Sequence, residues 1–367
     1  MVRHSRRRFI RGWGASGLLL MAAVLSACKQ TAVAPAQAAR TNEITRPVRS
    51  GDDPVSAAVA RPPTRPHVGF LSSALEPGKG SDYPDNLGFE WSRQALGKLS
   101  WTVGQDLLVT PRYAAGRLDR LPDLVAELVR LEVSVIVADG PEAARAVIDA
   151  ATTTPTVVVV GSDLTRAQLF GGATRPSTVT GVASETQDLV RRRLSLLKEA
   201  MPSVAQVSVL WNGGSWAAAE AFGAIDAAAQ NLGLQLRPYD VRTGQDIEGI
   251  VSTTSGSEVF LVVHDPLTVM SRNRIAFFAE QRRIPMMMER RSGMYALGLL
   301  LEVGPSVQDM YVQAAAQVDQ IVRGARPADL PMEPPAKLDI VVNQKAAKNL
   351  GLTIPQAVLA QATFVIQ

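Results

Sequence analysis

The chain has 367 residues, 46% hydrophobic and 20% charged, a composition that excludes a disordered polymer for its main body. Its formal charge of +4 is a local feature: five arginines and no acid stand in residues 1–27, and beyond them 33 basic residues face 34 acidic ones, a net of −1. That balance excludes a nucleic-acid footprint, and a single cysteine, Cys28, excludes an intrachain disulfide or a multi-cysteine metal cluster.

The amino terminus reads as an address. A basic segment, Arg3 to Arg11, precedes an apolar run from Leu18 to Val24 and then Leu25-Ser26-Ala27-Cys28. The run is too short to span a bilayer and suits the core of an export signal. The small residues before Cys28 resemble a bacterial lipobox, in which the cysteine is diacylated and becomes the new amino terminus. The plainer alternative is an unmodified cysteine near an ordinary cleavage point, and Ala36-Gln37-Ala38 offers one. Ser5-Arg6-Arg7-Arg8-Phe9-Ile10-Arg11 also resembles a twin-arginine export motif, a generic basic segment being the alternative. The expectation is an export signal over 1–28 and a flexible Ala/Pro/Thr/Arg-rich tether over 29–66. The mature protein is then expected in the periplasm or cell envelope, anchored through Cys28.

The folded body alternates short apolar strands with amphipathic helices. His67–Leu71 is a strand ending at Ser72-Ser73, followed by a helix from Phe89 to about Lys98 and a strand at Val109–Tyr113. Leu121, Leu124, Val125, Leu128 and Leu131 recur at three- and four-residue intervals on one helix face. Val133–Ala138 is a short apolar run, expected of a parallel strand covered on both faces, and it exits at Asp139-Gly140-Pro141. A helix over 142–151, the strand Thr156–Val160 and a short strand at Val179–Val182 complete the first series. The second series has helices at 187–201, 217–232, 245–253 and 269–282, and strands at 207–210, 234–241, 259–263 and 284–288. Two such series predict two doubly wound α/β lobes. Strands at 299–303 and 338–342 and a helix over 307–322 return the chain to both. The expected boundaries are 67–183 for the first lobe, completed by about 297–325, and 184–296 for the second, completed by about 326–367.

Several motifs in order resemble a known family. Gly116-Arg117-Leu118-Asp119-Arg120-Leu121-Pro122, Arg192-Arg193-Leu194 with Leu196 to Pro202, and Val209-Leu210-Trp211-Asn212 are similar to ABC transporter substrate-binding proteins of the TrpX-like type. So are Asp265-Pro266-Leu267, Gly324 to Pro331 and Leu350 to Pro355, and the likeness runs over about residues 66–367. The resemblance implies a type I periplasmic-binding-protein fold: two Rossmann-like lobes with parallel sheets, joined by three crossovers, closing over a small molecule and docking on an ABC permease with its ATPase. Known or suggested ligands in the family include aromatic amino acids. The chain departs from the family pattern at four places. Gly-Thr-Pro becomes Gly140-Pro141-Glu142, Gly-Asp-Pro becomes Ser162-Asp163-Leu164, Asn-Pro becomes Asn212-Gly213, and Ser-Tyr-Gly-Pro becomes Glu302-Val303-Gly304-Pro305. A ligand carrying donors or positive charge fits the added acids better than a carboxylate does.

Ligands of open parallel sheets bind outside the carboxyl ends of strands. The candidate contacts are therefore Ser72, Ser73, Asp139, Gly140, Ser162, Asp163, Trp211, Asn212, Asp265 and Glu289. For each Ser, Asp or Asn the alternative is a helix cap or turn, and for Trp211 it is packing. Met286-Met287-Met288 reads as core, and with only His4, His67 and His264 in the chain, the first of them in the signal, no histidine metal site is expected. Gly213-Gly214-Ser215 lacks the spacing of a dinucleotide or phosphate loop. No cofactor and no catalysis are expected. The competing functions are a ligand sensor for a membrane receptor and, with no nucleophile–base motif in support, an exported enzyme.

Overall fold

The computed structural model describes residues 65–76, 87–184, 188–254, 259–290 and 299–367. The expected export signal, Cys28 and the tether up to residue 64 lie outside the described residues. Both lobes belong to the unit Ala58–Gln367.

The opening strands set the pattern. In β3 (Val135–Asp139), Ile136 and Ala138 enter one apolar cluster while Val135 and Val137 enter another, so the strand is covered on both faces. Helix Leu121–Arg130 supplies Leu121, Leu124, Val125 and Leu128 to the first cluster. Its approach is close enough that a Cβ at Gly69, on β1 (His67–Ser72), would meet Leu128 at 3.0 Å. Leu131, expected on that buried face, is 43% exposed. The helix ends at Arg130, and the chain turns through Glu132 at φ +49°, which carries Leu131 off the stripe.

The first sheet has the order β11-β5-β4-β3-β1-β2 and every pair is parallel. Its other strands are β2 (Leu108–Tyr113), β4 (Thr156–Thr165), β5 (Val179–Ser184) and β11 (Met332–Glu333). The second sheet runs β13-β12-β10-β9-β8-β6-β7. It contains β6 (Gln206–Trp211), β7 (Gln235–Asp240), β8 (Val259–Val262), β9 (Met286–Glu289), β10 (Leu301–Pro305), β12 (Leu338–Asn343) and β13 (Phe364–Ile366).

Two expectations change here. Residues 297–325 were expected to complete the first lobe, yet β10 pairs with β9 in the second sheet, and only helix Val307–Val322 packs on the first. Conversely, β11 pairs with β5 in the first sheet although 326–367 was expected in the second lobe. The chain thus crosses between lobes three times, after β5, after β10 and after β11. The second sheet is also not wholly parallel, because β12 runs antiparallel to β10, with Pro305 opposite Leu338. Strand β10 leaves the sheet at the crossover and β12 enters there, so their adjoining ends force opposite directions.

Candidate functional site

Each sheet reverses its strand order once, between β1 and β3 in the first lobe and between β6 and β8 in the second. These switch points are where open α/β sheets hold ligands. Both are marked by a polar pair. In the first lobe Ser72 and Asp139 are register partners at the strand ends, and the Ser72 hydroxyl donates to Asp139 Oδ2 at 2.8 Å. The other carboxylate oxygen, Oδ1, accepts from the Tyr311 hydroxyl at 2.5 Å. Tyr311 lies on the returning helix Val307–Val322, so this carboxylate ties that helix to the strand tips.

In the second lobe Asn212 Nδ2 donates to Asp265 Oδ1 at 2.9 Å. The same oxygen accepts the Leu267 N–H at 2.8 Å, capping helix Pro266–Met270. Asp265 therefore fills the cap role open to it in the sequence while also joining the two strand ends. Its Oδ2 is buried with no hydrogen-bond partner in the protein. Burial pushes the Asp265 carboxyl up, against the hydrogen bonds from Asn212 and the Leu267 N–H that hold it down.

The two lobes meet beside these pairs. Glu142 stands in the first turn of helix Pro141–Asp149, after Gly140 has turned the chain at φ +86°. Across the cleft, Ser215 caps helix Trp216–Asn231 by accepting the Ala218 N–H at 3.2 Å, and its hydroxyl donates to Glu142 Oε1. Glu142 Oε2 is buried and unpartnered. Burial pushes this carboxyl up to about 7; the Ser215 bond opposes the rise and the Asp265 charge adds to it. Around this contact, Gln168 donates to Glu220 at 2.9 Å, Arg145 lies 5.6 Å from the Trp216 ring centroid, and Ala217 packs into the first lobe's core. Met270 sits so close to Gly116 that an added Cβ there would meet its sulfur at 2.7 Å.

The remaining candidates fall into different settings. The Gly140 N–H donates to the Val159 carbonyl at 3.0 Å, so the glycine's contribution is its positive φ. Ser73 is buried, and its carbonyl accepts from Gly116. Ser162 and Asp163 lie inside β4, which continues to Thr165 through an irregular register instead of ending before them. Trp211 stacks on Phe222 with centroids 4.8 Å apart, a packing arrangement within the second lobe. Glu289 is buried at the end of β9.

Glu142, Ser215, Tyr113 and Tyr311 were not among the candidates. Tyr113 ends β2 with a buried hydroxyl that lacks a protein partner; burial, then the charges of Asp139 and Glu76, push it up and keep it a donor. Glu142 carried a signal, since it is the acid added in the departure from the family pattern. Tyr311 carried none, because it sits mid-helix and far along the chain from Asp139.

The family model described as ABC transporter substrate binding protein matches residues 93–366. No protein of curated function matches the chain. Among solved structures, a conserved domain protein of Vibrio cholerae has 21% identity and a TM-score of 0.70, covering 82% of this chain and 100% of its own. An ABC domain in complex with L-Trp from Streptococcus pneumonia has 19% identity and a TM-score of 0.69, with coverage of 82% and 100%. A 5-methylthioribose transporter solute binding protein from Thermotoga lettingae has 14% identity and a TM-score of 0.53, with coverage of 82% and 98%. At these identities the likeness is one of fold, that of type I periplasmic binding proteins.

Proposed function

The chain belongs to the ABC transporter substrate-binding protein family, and we propose that it captures a small molecule between its two lobes and delivers it to a membrane permease coupled to an ATPase. It is a solute-binding protein, not an enzyme, and it works outside the cytoplasm. The observation that carries the capture mechanism is the pairing of switch points. Ser72–Asp139 and Asn212–Asp265 stand at the carboxyl ends of their sheets, and Glu142 and Ser215 join the lobes beside them. A molecule touching both lobes stabilises their closure by its differential affinity for the closed state. The three crossovers supply the hinges for that motion.

Ser72, Ser73, Asp139, Gly140, Ser162, Asp163, Trp211, Asn212, Asp265 and Glu289 remain the proposed lining of the cleft, to which Glu142 and Tyr113 are added. The finer address is also a proposal: export, diacylation at Cys28 and a tether holding the lobes above the membrane.

Ligand capture is tested by thermal unfolding against amino acids, polyamines, purines, sugars and organic acids. A true ligand raises the melting temperature with concentration, by about 2.7 kcal/mol of stability at a hundredfold excess over Kd. Turnover of a substrate with no stabilising ligand would defeat the reading. Cys28→Ser is expected to move the protein from the membrane to the soluble fraction; an unchanged membrane fraction argues against the lipid.

A further inference from the structure

We infer that Glu142 and Asp265, reaching from opposite lobes toward Ser215, form a recognition site for an organic cation bearing N–H donors, an ammonium, amidinium or guanidinium group. This rests on the solute-binding reading and narrows it to a class of ligand.

The starting point is a shortage of hydrogen-bond donors. Glu142 and Asp265 are 5% and 3% exposed, and each keeps one oxygen, Oε2 and Oδ2, buried without a protein partner. Between them stands one hydroxyl. Ser215 donates to Glu142 Oε1 and is also within hydrogen-bonding reach of Asp265, but it has a single proton to give. Its acceptor capacity is drawn on by the Ala218 N–H. Asn212 and the Leu267 N–H supply Asp265 Oδ1, so the shortage falls on Glu142 Oε2 and Asp265 Oδ2, which receive no protein donor.

Positive charge is equally short. The nearest base along the helix, Arg145, is engaged by Asp149 at 2.9 Å and by the Trp216 ring. Neither Glu142 nor Asp265 makes an ion pair among the described residues. A buried carboxylate without a counter-charge is costly, and charge-assisted N–H donors offset both deficits in one contact. A ligand carboxylate would instead bring a third negative charge to the pair. Among the described residues no group of three or more His, Cys, Asp or Glu gathers as a metal shell, which favours an organic cation over a metal ion.

Geometry adds a consequence for closure. Glu142 belongs to the first lobe and Asp265 to the second, so a cation touching both is attracted more strongly when the lobes meet. Its affinity is then differential between open and closed states, the condition for driving the change.

The test is titration calorimetry at pH 8 with agmatine, putrescine, L-tryptophan and myo-inositol as probes. Agmatine or putrescine is expected to bind, and Glu142→Gln and Asp265→Asn are each expected to weaken it at least tenfold. Both variants keep a carbonyl oxygen for the Ser215 or capping contact, and circular dichroism confirms that they fold. Binding of L-tryptophan or myo-inositol in place of the cations overturns the assignment of class and leaves the solute-binding reading standing. So does cation affinity that survives both substitutions. If none of the four probes binds, the cation assignment falls, and the solute-binding reading is decided separately by the thermal-unfolding screen.

Discussion

Asp139 and Asp265 occupy corresponding places, each at a carboxyl end beside its sheet's switch point, yet they are satisfied differently. Both oxygens of Asp139 accept hydroxyl protons, from Ser72 and from Tyr311. Asp265 spends Oδ1 on Asn212 and on backbone N–H groups of the helix it caps, and keeps Oδ2 unpartnered. A fully donated carboxylate braces the fold, whereas an under-donated one is poised for something outside the chain. The contrast separates a structural carboxylate from a recognition carboxylate at equivalent positions.

The largest effect should come from breaking the brace. Asp139→Ala strips two hydroxyls of their acceptor and loosens the returning helix, and a loss of about 2–5 kcal/mol is expected in urea denaturation. A loss under about 1 kcal/mol would show that the triad is incidental.

A smaller effect of opposite sign is expected at Glu142. Its folded carboxyl is raised from 4.5 to about 7, so the folded state holds the proton more tightly than the unfolded chain. Stability therefore falls as pH rises from about 4.5 to about 7, and the full penalty applies above that window. Glu142→Gln removes the charge and should be more stable than the parent at pH 8 by roughly 1–3 kcal/mol, with the difference fading at pH 4. Glu302, pushed by burial to about 7 despite Arg290, titrates in the same window in both proteins and cancels in the comparison. A difference that does not change with pH would place the Glu142 charge elsewhere.

The smallest effect sharpens the contrast from the surface. Glu220 accepts from Gln168 across the lobes in an exposed setting, so Glu220→Ala should change stability by no more than about 0.5 kcal/mol. A large loss there would mean that lobe contact depends on the rim more than on the buried pair.

The legibility of the chain followed the range of each signal. The helix Val307–Val322 matches its expected limits because its apolar spacing is local. Gly233 was legible as the close of helix Trp216–Asn231 because a left-handed residue is needed there, and its φ is +64°. The expected helix over 269–282 was less accurate, since the chain breaks it into Pro266–Met270 and Arg272–Gln281 once Asp265 caps the first piece. Strand ends were legible at Ser72, Asp139 and Asn212, where apolar runs stop at polar residues. At Ser162 and Asp163 the strand runs on as an irregularity: pairing with β5 lapses after Val160 opposite Ala183 and resumes at Thr165 opposite Ser184, which no local apolar pattern announces.

The sequence by itself determined the two α/β series, the family, and the strand-end residues from which a cleft is built, because periodicity and turn chemistry act over a few residues. Tertiary structure decided which strand ends become neighbours, that β10 and β12 must run opposite ways, and that the Tyr311 hydroxyl completes Asp139 from 172 residues away. It also decided that Glu142, an unexceptional acid in a first helical turn, faces Ser215 and Asp265 across the cleft. Burial and pairing are properties of the packed molecule, and no local pattern encodes whether a carboxylate ends with its donors or without them.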